Sequence, residues 1–229
     1  MTDENAAYPK AVSGKPVALE ARRQDQDGRR YSPSIARNRD IVRSVFLDQM
    51  PRSGTLLEIA SGTGEHGAYI ASACPDLTWQ YSDIDPESRT SQDAWCTACR
   101  ESARLLSPVV LDVTLPDWTT TGAALPVDGM FCANMVHIAP FAATKGLFSG
   151  AGRYLAAGGR LMLYGPFARF GKIAPSNARF SEDLKRRDRL WGVRDLDLDL
   201  LPLATAAGLA LTTVIDVPAN NLCTIFEKA

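Results

Sequence analysis

The residues best suited to chemistry lie in one string, Leu56-Leu57-Glu58-Ile59-Ala60-Ser61-Gly62-Thr63-Gly64-Glu65-His66-Gly67. An apolar run carries an acid, then turns through two glycines into a helical stretch. By this arrangement an α/β fold brings backbone amides up to a polar cofactor at a helix N-terminus. Gly62, Gly64 and Gly67 also satisfy Gly-x-Gly-x-x-Gly, so on this string alone a dinucleotide and S-adenosylmethionine are both open. Two more acids close later apolar runs: Asp83 before Ile84, and Asp112 before Val113. A carboxylate at a strand tip can accept from both ribose hydroxyls, worth roughly 1.5–3 kcal/mol for each charged hydrogen bond. His137 follows Asn134-Met135-Val136, and an imidazole of pKa about 6.5 suits general-base work.

An alternation of apolar and helical stretches would position these residues. Strands are predicted over 55–60, 78–84, 108–113, 127–136 and 160–164, the last broken by Gly165-Pro166. Helices are predicted over 64–73, 88–103 and 144–155, with more helix up to about 208. Upstream, Ile35, Ile41, Val42, Val45 and Phe46 share one face of a helix over 34–47, with Pro33 in its first turn. At the end, runs 209–217 and 222–226 are separated only by Pro218-Ala219-Asn220-Asn221. That leaves no room for a crossover helix, so the pair must be an antiparallel hairpin. The expected fold class is α/β, with a doubly wound, mostly parallel seven-stranded sheet and a C-terminal antiparallel hairpin. Residues 1–30, polar and interrupted by Pro9, Gly14, Pro16 and Gly28, read as a mobile arm. Residues 31–229 read as one domain, with an N-terminal helix lid (31–50) and an insertion (168–194).

Bulk properties narrow the function classes. The 229 residues are 45% hydrophobic and 22% charged, with a formal net charge of −1. Near balance argues against broad nucleic-acid binding, which needs a clustered basic surface. No apolar run approaches the roughly 20 residues that span a bilayer, so a cytoplasmic protein without membrane partners is expected. Cys96 and Cys99 form a lone C-x-x-C among five cysteines, and the only histidines are His66 and His137. A zinc site needs a second ligand pair, so no metal is expected.

Glu58 decides between the two cofactors. It stands four residues before Gly62, where a pyrophosphate would be repelled and a cationic amino group attracted. The spacing Glu-x-Ala-x-Gly-x-Gly, followed by acids at the next two strand ends and by a terminal hairpin, resembles class I S-adenosylmethionine-dependent methyltransferases. That resemblance implies S-adenosylmethionine as cofactor. It also implies a site drawn from Glu58, Ala60, Ser61, Gly62, Thr63, Gly64, His66, Asp83, Ile84, Asp112, Val113, Asn134 and Met135, with Asp83 on the ribose and Asp112 and Val113 at the adenine.

A narrower likeness runs through Arg30-Tyr31-Ser32-Pro33 with Arg37-Asn38-Arg39, then through the glycine string. It continues in Asn134-Met135-Val136-His137-Ile138, Tyr164-Gly165-Pro166-Phe167, Pro175-Ser176-Asn177, Trp191-Gly192-Val193-Arg194-Asp195 and Pro218-Ala219-Asn220-Asn221. Over about residues 30–228 the chain resembles the methyltransferase-like 26 family, which implies a fold and a cofactor and names no acceptor.

In an α/β sheet the acceptor lies beyond the carboxyl ends of the strands. The substrate-side candidates are therefore Tyr31, His137, Tyr164, Phe167, Asn177 and Asn220, with His137 as catalytic base. The insertion carries Arg169, Lys172, Lys185, Arg186, Arg187, Arg189 and Arg194. They read either as a solvated helix paired with Glu182, Asp183 and Asp188, or as a lid over an anionic or polar aromatic acceptor. The expected activity is methyl transfer to oxygen or nitrogen of a small aromatic or heteroaromatic acceptor. An NAD(P)-dependent oxidoreductase and a non-catalytic cofactor-binding protein are the alternatives.

Overall fold

The computed structural model of the chain describes residues 22–229, so most of the arm expected over 1–30 lies outside the described residues. Its last part is a short antiparallel ribbon of β1 (Arg23–Gln24) and β2 (Arg30–Tyr31). Helix α1 (Pro33–Gln49) follows, with proline in its first turn and Val42, Val45 and Phe46 buried. Then β3 (Ser53–Ile59), α2 (Glu65–Ala71), β4 (Asp76–Ser82), α3 (Pro86–Ala98), β5 (Arg104–Val109), β6 (Val127–Ala133), α4 (Phe141–Tyr154) and β7 (Leu155–Ala168) alternate. Helix α5 (Pro175–Arg187), β8 (Arg194–Asp195), a π turn over Leu196–Leu200 and α6 (Leu201–Ala206) lead to the final pair, β9 (Leu209–Val217) and β10 (Asn221–Lys228).

The sheet order is β5-β4-β3-β6-β7-β10-β9, with β8 attached to β7. Strands β3 to β7 pair in parallel, whereas β10 is antiparallel to both β7 and β9. The doubly wound sheet with a reversed C-terminal hairpin is thus the fold observed. No helix among the described residues is long and apolar enough to cross a membrane.

Several expected boundaries differ, among them that of the fourth strand, which ends at Ala133 and gives way to a helical turn over Met135–His137. The third strand ends at Val109, so Asp112 and Val113 lie in the loop beyond it. The fifth strand runs on through Gly165-Pro166 to Ala168. Its ladder with β6 ends at Tyr164, so on that side the missing N–H of Pro166 costs no bond. The helix expected throughout the insertion is interrupted by β8, which pairs in parallel with Phe167 and Ala168.

Adjacent residues of β3 point to opposite faces, as a pleated strand requires. Leu57 and Ile59 join a core with Met130, Leu147, Phe148, Leu161 and Leu163 under α4 and α6. Leu56 joins Val42, Phe46, Ile70, Trp79, Tyr81 and Phe131 under α1 and α2. On that second face the fit around Gly67 is tight. A Cβ there would collide with the Tyr81 ring and stand 2.5 Å from Trp79 Nε1 and 2.7 Å from Glu58 Oε2. Glu58, 2% exposed, accepts a hydrogen bond from Trp79 Nε1 at 2.9 Å. Burial pushes its carboxyl from 4.5 up to about 8, against the opposing hydrogen bonds of Trp79 and Ser61.

Two expectations follow. Gly67→Ala should cost about 1–3 kcal/mol through overpacking, measured by chemical denaturation. A loss within about 0.5 kcal/mol, as for a surface change, would mean that α2 has room to move. For Glu58, the folded state holds a proton that the unfolded state releases, so its contribution is present below 4.5 and lost as pH rises through about 8. Both histidines are kept in Glu58→Gln, so their titration in the unfolded state near 6.5 is common to the two proteins and cancels in the comparison. The melting temperature of Glu58→Gln should therefore fall less than that of the parent as pH is raised from 6.5 to 8; parallel curves would contradict the burial argument.

Candidate functional site

The loop between β3 and α2 is shaped from below. Ala60, Gly62 and Gly64 all have positive φ, at 54°, 56° and 81°, and the two glycines adopt it without a Cβ penalty. Three side chains hold successive loop carbonyls: Gln92 Nε2 donates to Gly62, Ser91 Oγ to Thr63 and Tyr81 Oη to Gly64. Ser61 ties the loop to β4, its N–H donating to Ser82 O while its Oγ accepts from Ser82 N. A Cβ on Gly62 would meet nothing within 4 Å, so this glycine faces open space, whereas Gly64 packs against Gln92 and Trp95.

Asp83 completes the loop. Its Oδ2 accepts from Gly62 N and its Oδ1 from Asp85 N, both at 2.9 Å. Burial raises its pKa, and the two backbone amides oppose that shift. Asp85 then caps α3 by accepting from Glu87 N and Ser88 N. Beside Asp83, two apolar side chains stand bare: Ile84 is 55% and Val110 57% exposed. Asp112 folds back on its own turn, accepting from Thr114 N and Oγ1. Val113 is buried against Gly146 of α4.

Glu58 touches this loop only through Ser61, and burial drives it toward its uncharged form, so it does not present the charge expected to attract a cationic amino group. Its carboxyl sits beneath α2, on Trp79 and against Gly67. The third glycine is therefore a packing requirement, which is also the part a third glycine plays in a dinucleotide fold, so Gly67 does not separate the two cofactors.

Helix α1 is fastened over the start of α2. Glu65, buried, accepts from Ser32 N at 3.1 Å and pairs with Arg39 at 3.3 Å. His66 Nε2 meets Asn38 Oδ1 at 2.8 Å, and Asn38 also hydrogen-bonds Tyr164. Burial pushes His66 down to about 4. Asn38 is the joint of this chain; in the sequence it stands in the Arg37-Asn38-Arg39 segment of the family likeness, with nothing local to show its partners.

Near the end of β7 a second cluster forms. Asn134, with φ 62°, donates its N–H to Tyr164 O and leads into a short helical turn, Met135–His137. Met135 belongs to the core under α4. His137 is 1% exposed, and neither ring nitrogen has a hydrogen-bond partner. Phe167 lies edge-on at 4.8 Å. A Cβ on Gly165 would be 2.5 Å from His137 Nε2 and 3.2 Å from Asn134 Oδ1, so the imidazole packs directly on this glycine and leaves no room for a side chain. Burial first, then the charge of Arg194, lowers His137 to about 3. The imidazole is thus neutral, with no carboxylate to stabilise it once protonated.

The remaining candidates stand apart from that cluster. Tyr31 packs edge-on against Trp95 at 5.2 Å and lies under Arg23, on the α3 side of the loop. Asn177 and Asn220 clasp one another's segments: Asn177 Nδ2 donates to Asn220 O, and Asn220 Nδ2 to Ser176 Oγ. Of the insertion's cations, Arg186 pairs with Asp183 and Arg169 with Asp197, while Arg194 donates to the carbonyls of Val136, Ala139 and Leu190. In the sequence Arg194 stands in the Trp191–Asp195 segment of the family likeness and among the basic residues of the insertion, neither of which points to these carbonyls.

The fold recurs in solved methyltransferase structures. An O-methyltransferase family protein from Burkholderia thailandensis superposes with a TM-score of 0.71 at 16% identity, over 86% of this chain and 57% of that one. CalO1, a methyltransferase in calicheamicin biosynthesis solved with S-adenosylhomocysteine bound, gives 0.69 at 18% identity, over 86% and 54%. An O-methyltransferase family 2 protein from Planctomyces limnophilus, in complex with apigenin, gives 0.69 at 19% identity, over 86% and 60%. The chain thus spans between 54 and 60% of the length of these neighbours, and at such identities the likeness establishes the class I methyltransferase fold. A family model described as protein of unknown function DUF938 matches residues 29–228, and the chain belongs to that family.

Proposed function

We propose that the chain is an S-adenosylmethionine-dependent methyltransferase acting on oxygen or nitrogen of a small aromatic or heteroaromatic acceptor. The observation that carries this reading is the pairing of Asp83 with Gly62 beside bare Ile84 and Val110. A carboxylate flanked by exposed apolar side chains suits a ribose joined to a flat base. The apigenin bound to one neighbour and the S-adenosylhomocysteine bound to another support it. So does the likeness of residues 30–228 to the methyltransferase-like 26 family.

The cofactor, when bound, supplies a methyl group activated by a sulfonium. Asp83 accepts from the ribose hydroxyls, and Ile84 and Val110 cover the base, with Asp112 and Val113 at its edge. Ala60 to Gly64 lend backbone to the amino-acid end, and His66 shapes that end from the lid side, with Asn134 and Met135 completing the pocket. The acceptor lies toward His137, Phe167 and Tyr164, where positioning opposite the sulfur lowers the barrier by several kcal/mol. Tyr31, Asn177 and Asn220 act at the rim, through the ribbon and the clasp.

Asp83→Ala should weaken S-adenosylhomocysteine binding at least tenfold by calorimetry, about 1.4 kcal/mol, while the protein still melts cooperatively. Unchanged affinity would remove the assigned cofactor site.

A further inference from the structure

Just past β4 two adjacent residues are fixed by different means. Asp83 is held by three bonds: its N–H donates to Val109 O at 3.1 Å, and its carboxylate accepts from Gly62 N and Asp85 N. Ile84 has no such support. Its side chain is 55% exposed, so packing holds it weakly, and its peptide lies beyond the last rung of either β4 ladder. One side chain reaches it. Arg89, in the first turn of α3, donates through a single nitrogen, Nη1, to Asp83 O and to Ile84 O, each at 2.9 Å. No other hydrogen bond to the Ile84 backbone occurs among the described residues. Arg89 itself stands on firm ground, because its N–H donates to Asp85 O at 3.1 Å and the Asp85 carboxylate caps the helix.

We infer that Arg89 is a positioning residue for the base of the cofactor, acting through Ile84. This rests on the methyltransferase reading above, in which Asp83 meets the ribose and Ile84 covers the base. An exposed residue with an unpaired backbone opens readily, and a ligand that needs it in one place must order it on binding. Two charge-assisted bonds to successive carbonyls remove that freedom beforehand. Ile84 thus keeps its place beside Asp83 before any cofactor arrives. Asp83 gains little from the same clamp, since its own three bonds already hold it.

The test is a double-mutant cycle, read as the affinity for S-adenosylhomocysteine by calorimetry. Arg89→Met should weaken binding about tenfold in the parent, and by less than about twofold where Ile84 is already alanine. Arg89→Lys, whose one nitrogen can donate to the same carbonyls, should recover most of the loss. A loss of equal size in both backgrounds would mean that Arg89 serves the fold or Asp83, and overturns the proposal. Unchanged affinity in Arg89→Met overturns it too. Ile84→Ala alters an exposed side chain, so full affinity in that variant decides against the proposal even if no Arg89 variant folds. Failure of S-adenosylhomocysteine to bind the parent protein would overturn the cofactor reading instead.

Discussion

Helix α2 lies on the sheet at a depth only glycine permits, and much of the site inherits its geometry from that approach. Beneath Gly67 stand two aromatic rings and a protonated carboxyl, joined by the Trp79–Glu58 hydrogen bond. The depth of α2 brings Gly64 O within reach of Tyr81 Oη, which fixes the end of the glycine loop. It also sets Glu65 and His66 where α1 can grasp them. Loop and lid are thus referenced to one packed contact between helix and sheet. Interiors packed to crystalline density transmit such constraints because no slack is left to absorb them.

The titratable groups sort by depth. Glu58, His66 and His137 are all enclosed, and burial drives each toward its uncharged form. Asp83 is also buried, yet it gathers two backbone amides that favour the ionised form. Full ion pairs have at least one partner reaching the surface, as with Arg39 over buried Glu65 or Arg30 and Glu87. A wall of uncharged polar groups with charge at its margin suits a ligand whose own charges decide its placement.

What could be read in the sequence was what is local. The Gly62–Gly64 turn, the acid at Asp83, the helix behind Pro33 and the closing hairpin each depend on neighbours a few residues away. Gly67 looked like part of a cofactor fingerprint because its true partners, Trp79 and Tyr81, arrive only when β4 pairs with β3. Pro166 signalled a break because nothing local says that β6 has already ended beside it. The two residues of β8 carry no period at all; they become a strand by lying next to Phe167. Arg194 and Asn38 stand in segments of the family likeness with no partner legible until tertiary contacts give them carbonyls and an imidazole to bind.

The reversal of β10 has a consequence for how the pocket is enclosed. Had the last strand run parallel to β7, the turn preceding it would have opened at the far edge of the sheet. Running antiparallel, it starts opposite Pro166, so the β9–β10 turn emerges where the glycine loop and His137 also lie. Asn220 there meets Asn177 of α5, tying the C-terminal hairpin to the insertion. In the proposed function the late part of the chain would form a far bank opposite the glycine loop, with the early strands carrying the nucleotide. Sequence variation in the hairpin turn and α5 would then change the acceptor side and leave the nucleotide side as it is.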